Sequence, residues 1–254
     1  MNDLVSIITP SYNTAEYIAE TIKSVQAQTY SNWEMLIVDD CSTDSTDEVV
    51  TEFLSDTRIR YLKKLKNSGA AISRNYALRE AKGKWIAFLD SDDIWLPEKL
   101  EKQISFMEKN GYHFSYTYYE EIDDQSSPLG IMVTGPKKIT KHGMYNYCWI
   151  GCLTVMYDAE FIGLIQIENI KKNNDYAMWL KVCKKADCFL LEETLAKYRR
   201  GRVGSISTHG YSTLIKWHYR LYRICDDKNA VSAAILTCRN MLFGIWKKVK
   251  YVKG

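Results

Sequence analysis

Glu34-Met-Leu-Ile-Val-Asp39-Asp40 and Trp85-Ile-Ala-Phe-Leu-Asp90-Ser91-Asp92-Asp93 are two short apolar runs that stop abruptly in acid. An apolar run of this length with no polar alternation is the pattern of a strand buried on both faces, and such strands belong to parallel sheets covered by helices. Open α/β sheets bind ligands outside the carboxyl ends of their strands. Carboxylates are therefore delivered to the edge where chemistry is done. Asp90 and Asp92, one residue apart at a strand end, are spaced to share a hard divalent cation, which in turn holds phosphate oxygens.

The pattern repeats on both sides of these runs. Residues 5–9 read as a strand stopped by Pro10, and Ile18, Ile22 and Val25 recur at helical spacing after a polar Asn13-Thr14 start. Beyond the Ser/Thr/Asp-rich turn at 41–47, Val49, Val50, Phe53 and Leu54 give a second helical face. A third strand is predicted at 59–62, a third helix at 70–81, a fourth strand at 85–89 and a long helix from Pro97 to about Asn110. Four β-then-α units in ~110 residues predict a parallel, helix-covered sheet.

From His113 the texture changes. Strands are predicted at 114–119 and 152–157, with a Gly/Pro/Lys-rich loop at 128–143 between them. Helical spacing returns at 175–186, and 211–250 reads as two helices broken at Asp226-Asp-Lys-Asn229. The first half is expected to bind one substrate and the second half another.

Composition excludes several classes. The 254 residues carry a net charge of only +3, which argues against a nucleic-acid partner. Seven cysteines, odd in number and widely spread, read as reduced thiols of a cytosolic protein. No signal-peptide pattern opens the chain, and no stretch reaches the ~18 uncharged apolar residues of a membrane span. The four histidines match no metal-ligand spacing. The segment Trp246-Lys-Lys-Val-Lys-Tyr-Val-Lys253 mixes aromatic and basic side chains; on composition it is equally a membrane-surface contact and a solvated basic terminus.

Four strand-end motifs then stand in order: Thr9-Pro-Ser-Tyr12-Asn13, Val38-Asp39-Asp40-Cys41-Ser42, Asn67-Ser-Gly69-Ala-Ala-Ile-Ser-Arg74-Asn75 and Leu89-Asp90-Ser91-Asp92-Asp93. Over about residues 4–200 the chain resembles a family 2 glycosyltransferase. That resemblance implies a GT-A fold: a Rossmann-like nucleotide-binding sheet with helices on both faces, and a mixed sheet in the acceptor half. The expected division is 1–110 for the donor, 111–207 for the acceptor, and a C-terminal helical extension at 208–254 that associates with a membrane. The resemblance places Pro10, Tyr12, Asn13, Asp40, Asn67, Arg74, Asp90 and Ser91 around the nucleotide, with Asp40 on the base. It makes Asp92 the direct ligand of Mn²⁺ or Mg²⁺, with Asp90 nearer the ribose. Asp175 matches the catalytic base, preceded here by Asn174 where the family usually has an acid. Arg199 and Arg202 fall in a segment resembling a mobile loop and are assigned to the diphosphate.

Each assignment has a plainer counterpart. Asp93 and Asp175 are also placed to favour helix N-termini, Tyr12 and Arg74 to pack the sheet edge, and Tyr145, Tyr147 and Trp149 to fill a core rather than stack on sugars. The resemblance implies inverting transfer of one sugar from a nucleotide diphosphate sugar, UDP by default, to a glycan or lipid-linked glycan acceptor in bacterial surface polysaccharide assembly, peripheral on the inner face of the membrane. The rivals are a sugar-nucleotide nucleotidyltransferase, for which the Gly-rich phosphate loop is missing after the first strand, and a non-catalytic nucleotide-sugar-binding scaffold.

Overall fold

A computed structural model describes residues 3–201 and 211–254. The predicted alternation forms: β1 (Val5–Ser11), α1 (Ile18–Gln26), β2 (Trp33–Asp39), α2 (Thr46–Thr51), β3 (Ile59–Lys63), α3 (Ala70–Glu80) and β4 (Trp85–Phe88). These strands pair in parallel in the order β3-β2-β1-β4. Pro10 does not end β1, which runs on to Ser11. Because β4 stops at Phe88, opposite Ile8, Pro10 lies past the point where β1 is flanked on both sides, an edge-like position that accommodates proline.

Side-chain alternation explains why both faces are apolar. Ile8, Leu36, Val38, Ile86 and Phe88 point to one core, shared with Leu78 of α3, whereas Ile7, Met35, Ile37 and Ala87 point to the other, shared with Ile18, Ile22 and Val25 of α1. After β5 (Ile94–Trp95), α4 (Lys99–Asn110) adds Leu100, Ile104 and Met107 to the α1 side and ends at Gly111, whose φ of 65° is the left-handed turn glycine permits.

The acceptor half is less local. It comprises β6 (Phe114–Ile122), β7 (Pro128–Val133), β8 (Lys138–Ile139), α5 (Lys141–Asn146), β9 (Met156–Asp158), α6 (Ala159–Ile162), α7 (Asn174–Val182) and β10 (Cys188–Arg199). β9 runs antiparallel to β4, and β6 runs antiparallel to β9. β10 pairs in parallel with β6 through two register shifts, and antiparallel with β5 and β8. The sheet is therefore mixed, as expected. Three details differ from the reading of the sequence. The 128–143 segment holds β7 and β8 rather than a loop, residues 152–154 form a 3₁₀ turn before β9, and β10 is an additional strand.

The last helices are α8 (Tyr211–Ile224) and α9 (Ala230–Tyr251), followed by β11 (Val252–Lys253), which pairs antiparallel with β7. The C-terminal segment is thus joined to the sheet. Trp149 is the anchor, edge-on to Phe243, Trp246 and Tyr251, while Tyr145 donates its hydroxyl to Asp226 at 2.6 Å. These aromatics pack helices together. All seven cysteines are unpaired thiols.

Candidate active site

The carboxyl ends of β1 and β2 are tied together. Asn13 adopts φ 50°, a left-handed conformation asparagine tolerates. Its amide donates to Ser42 Oγ at 2.9 Å, and its side-chain oxygen accepts from the Thr43 N–H at 2.8 Å. The Asp40 N–H donates to the Ser11 carbonyl at 2.8 Å. Tyr12, next to this seam, is 44 % exposed, whereas Pro10 is buried.

Asp40 is the centre of the next loop. Its carboxylate, almost wholly buried, accepts from Lys64 Nζ at 2.5 Å and from the N–H groups of Ser68 at 2.9 Å and Gly69 at 2.7 Å. Gly69 stands at φ 90°, which glycine reaches without strain. A carboxylate has about four lone-pair sites. Three of them are occupied here. Lys64 was not singled out by sequence reasoning; the available signal was its place just after β3 on the same sheet edge. Asn67, in the same loop, is exposed.

Arg74 links the two halves of the site. It lies on α3, is 5 % exposed, and donates from one terminal nitrogen to Asp90 Oδ1 and from the other to Asn174 Oδ1. Burial opposes its charge, but the neighbouring acids, Asp90 foremost, more than compensate and hold the guanidinium protonated. Asn174 is therefore a strut for Arg74. A carboxylamide accepts this bond without adding a further negative charge beside Asp175.

Asp175 follows at the start of α7, and the helix cap is Asn173, in the left-handed conformation at φ 56°. Burial raises the Asp175 pKa above the ordinary carboxylate value, with Arg74 pulling the other way. A cavity of about 230 Å³ is lined by Asp175 and Asp90 together, with Tyr119, Cys152 and Tyr198 on its walls. A larger depression of about 430 Å³ lies beside Asn13 and Tyr17, with Glu16, Asp44 and Asp124 also on its walls, away from Asp90 and Asp175.

The turn after β4 gathers three carboxylates. Asp93 is buried, its N–H donates to the Asp90 carbonyl at 3.1 Å, and its Oδ1 accepts the Arg199 N–H at 2.9 Å. Burial, then the charges of Asp92 and Asp90, push its pKa well up. Ser91 is buried between them. Asp92 remains half-buried. Hard oxygen donors under mutual repulsion fit Mg²⁺ or Mn²⁺, and Asp90 and Asp92 are the pair that would hold one. Among the described residues no group of three or more His, Cys, Asp or Glu side chains could hold a metal. A cation that takes one or two carboxylates and completes its shell with substrate phosphates and water suits such a set.

Arg199 has a different employment from the one expected. Nε donates to the Asp92 carbonyl at 2.9 Å, one terminal nitrogen to the carbonyls of Asp123 and Asp124 at 3.1 Å each and to Ser126 Oγ at 2.9 Å, and the other to Glu20 at 2.6 Å. Its side chain is 1 % exposed. Every nitrogen of its guanidinium is committed, so it fixes the Asp92 turn rather than gripping a diphosphate. Arg202 lies outside the described residues.

Residues 6–147 match the family model described as Glycosyl transferase family 2. The chain is 45 % identical over 198 residues, 77 % of it and 79 % of the relative, to a Bacillus subtilis (strain 168) protein named as a teichuronic acid biosynthesis glycosyltransferase, TuaG. It is 44 % identical over 213 residues, 83 % of it and 82 % of the relative, to an Escherichia coli protein named UDP-Glc:alpha-D-GlcNAc-diphosphoundecaprenol beta-1,3-glucosyltransferase WfgD. Among solved structures, S. aureus TarS 1-349 in complex with UDP-GlcNAc aligns with TM-score 0.73 at 20 % identity, covering 93 % of this chain and 71 % of that one. At that identity the likeness speaks for the fold, which is GT-A.

Proposed function

The chain belongs to glycosyl transferase family 2, and on that footing we propose that it moves a single sugar from a UDP-sugar to a hydroxyl of a lipid-linked glycan, with inversion at the anomeric carbon. The observation that carries the reading is the Arg74 bridge, which sets the donor-side acid Asp90 and the acceptor-side acid Asp175 around one cavity. Residues 1–110 would then bind the donor and 111–207 the acceptor, at the inner face of a bacterial membrane. Two relatives support the substrate class: one is named for a diphosphoundecaprenol-linked acceptor and the other for teichuronic acid biosynthesis. No helix among the described residues is long and apolar enough to cross a membrane.

Tyr12 and the last open site on Asp40 would receive the base, while the seam through Asn13, the buried Ser91 and the Asn67 loop frame the ribose and phosphates. Asp92 and Asp90 would hold a divalent cation, which when bound neutralises charge developing on the leaving diphosphate. Asp175, its proton affinity raised by burial, takes the acceptor proton as the acceptor oxygen bonds to the anomeric carbon and the diphosphate leaves from the opposite face.

The test is thermal melting with UDP-, GDP-, CDP- and dTDP-sugars, each with and without Mn²⁺. A ligand at ~100 times its Kd adds ~2.7 kcal/mol of stability, and the shift is expected for UDP-sugars and to grow with the metal. A flat panel would refute the donor site. Asp175→Asn should keep the shift and lose transfer; retained transfer removes it as the base.

A further inference from the structure

α9 carries more apolar surface than a helix that meets only the core and water. A surface helix of a globular protein turns its apolar stripe to the core and its polar residues outward. Here Val231, Ile235, Leu242, Ile245, Trp246 and Val249 are all exposed, the least at 42 % and the most at 81 %. Their spacing of 4, 11, 14, 15 and 18 residues from Val231 puts them on one helical face. The inner face mixes apolar and polar side chains: Ala233, Leu236 and Phe243 pack on the core. Thr237 and Asn240 are buried, Asn240 reaching the hydroxyls of Tyr176 at 3.3 Å and Tyr222 at 3.5 Å, and Lys247 points inward with Nζ 3.5 Å from the Cys148 carbonyl.

Charge narrows what covers the outer face. From Ala230 to Gly254 there is no acidic residue, and Arg239, Lys247, Lys248, Lys250 and Lys253 supply five cations in a chain whose whole excess is +3. Arg239 and Lys250 flank one side of the stripe and Lys248 the other by helical position. A second copy would bring the same cations against these and be repelled. An anionic bilayer complements both features, since apolar side chains enter the acyl boundary while flanking lysines extend to the headgroups.

We propose that α9 lies in the interface of an anionic membrane along its Val231–Val249 face, so that contact is made by the whole helix rather than by a basic tail at 246–253. The inner face seats on the acceptor side of the protein: a Cβ on Gly244 would stand 2.9 Å from the Tyr147 ring, and Phe243 packs edge-on against Trp149. A lipid-linked acceptor would thus arrive one helix diameter, ~10 Å, from the protein wall that receives it. For its purpose the inference rests on the lipid-linked acceptor reading, and it is tested without turnover.

Purified full chain is sedimented with phosphatidylcholine vesicles with and without phosphatidylglycerol. The expected result is binding that needs the anionic lipid, weakens in high salt, and falls at least about tenfold in partition coefficient for Leu242→Glu/Val249→Glu but not for Leu54→Gln, an exposed leucine elsewhere. Cys238, exposed within the stripe, gives a readout on the unaltered chain. Anionic vesicles should slow its alkylation by a water-soluble maleimide. Equal partition of parent and double variant, no anionic-lipid binding, or a dimer that the double variant dissolves would overturn the proposal. The UDP-induced melting shift, measured on the same samples, reports separately on the donor site.

Discussion

Replacing Arg74 by methionine removes a buried side chain that bonds to both halves of the cleft, at Asp90 and at Asn174. Breaking a buried ion pair by deleting one partner costs ~3–5 kcal/mol. Asp90 is about a third exposed and water will partly compensate it, so the expected loss is smaller, ~2–3 kcal/mol. For a chain of this size ~1 kcal/mol corresponds to ~2–4 °C in Tm, which puts the variant roughly 5–10 °C below the parent by differential scanning fluorimetry. A second consequence is electrostatic. Arg74 holds the Asp175 pKa down against burial, so without it Asp175 protonates at higher pH and the acid limb of the transfer rate moves upward. Arg74→Lys keeps the charge but not the fork, and should restore the pH profile better than the Tm. A methionine variant with the parent's Tm and the parent's acid limb would refute the strut.

Three other outcomes follow from the same geometry. The Asp175 pKa is raised in the folded protein, so its contribution to stability is full below the unfolded carboxylate pKa and lost as pH rises through the folded one; Asp175→Asn should raise Tm at neutral pH and not in acid, and an equal shift at both would contradict this. Lys99 is fully buried over the Trp95 ring at 3.8 Å, its Nζ makes no hydrogen bond, and burial lowers its pKa well below the free value. Its contribution is lost as pH falls below the lysine range, so Lys99→Met should raise Tm at neutral pH with a gain that shrinks toward alkaline pH; a lower Tm would mean that the Trp95 face compensates the ammonium. Lys64→Met removes one charged hydrogen bond from Asp40 and should weaken UDP-sugar affinity by about tenfold in calorimetry, with unchanged affinity excluding a role for the 64–69 loop.

The donor half was legible because its determinants are local. Strands and helices of 2–12 residues follow one another in 3–110, most with an apolar period of their own, and acid at the strand ends marks the binding edge. The acceptor half was not, because its pairings join distant segments. β10 reads poorly as a strand, with Glu192, Glu193 and Lys197 interrupting its apolar pattern, and it forms because β6, near residue 115, offers a partner edge through two bulges. Arg199 illustrates the same limit. Its position near Tyr198 and Arg200 signalled a basic segment, whereas its function follows from carbonyls at 92, 123 and 124 that no spacing rule connects to it. Asp175 could be singled out only by resemblance to the family's catalytic base, and the bond from Arg74 to its neighbour Asn174 required the fold.

The Arg199 junction bears on how such enzymes can be recombined. A chimera that grafts the acceptor half of one relative onto the donor half of another, cut near residue 110, would separate Arg199 from Glu20, which lies on α1 in the other parent's portion. The 123–126 turn travels with Arg199, so unless position 20 also keeps its acid, a buried guanidinium beside the turn bearing Asp92 would lose its carboxylate partner, a flaw at the seam between two sound parts.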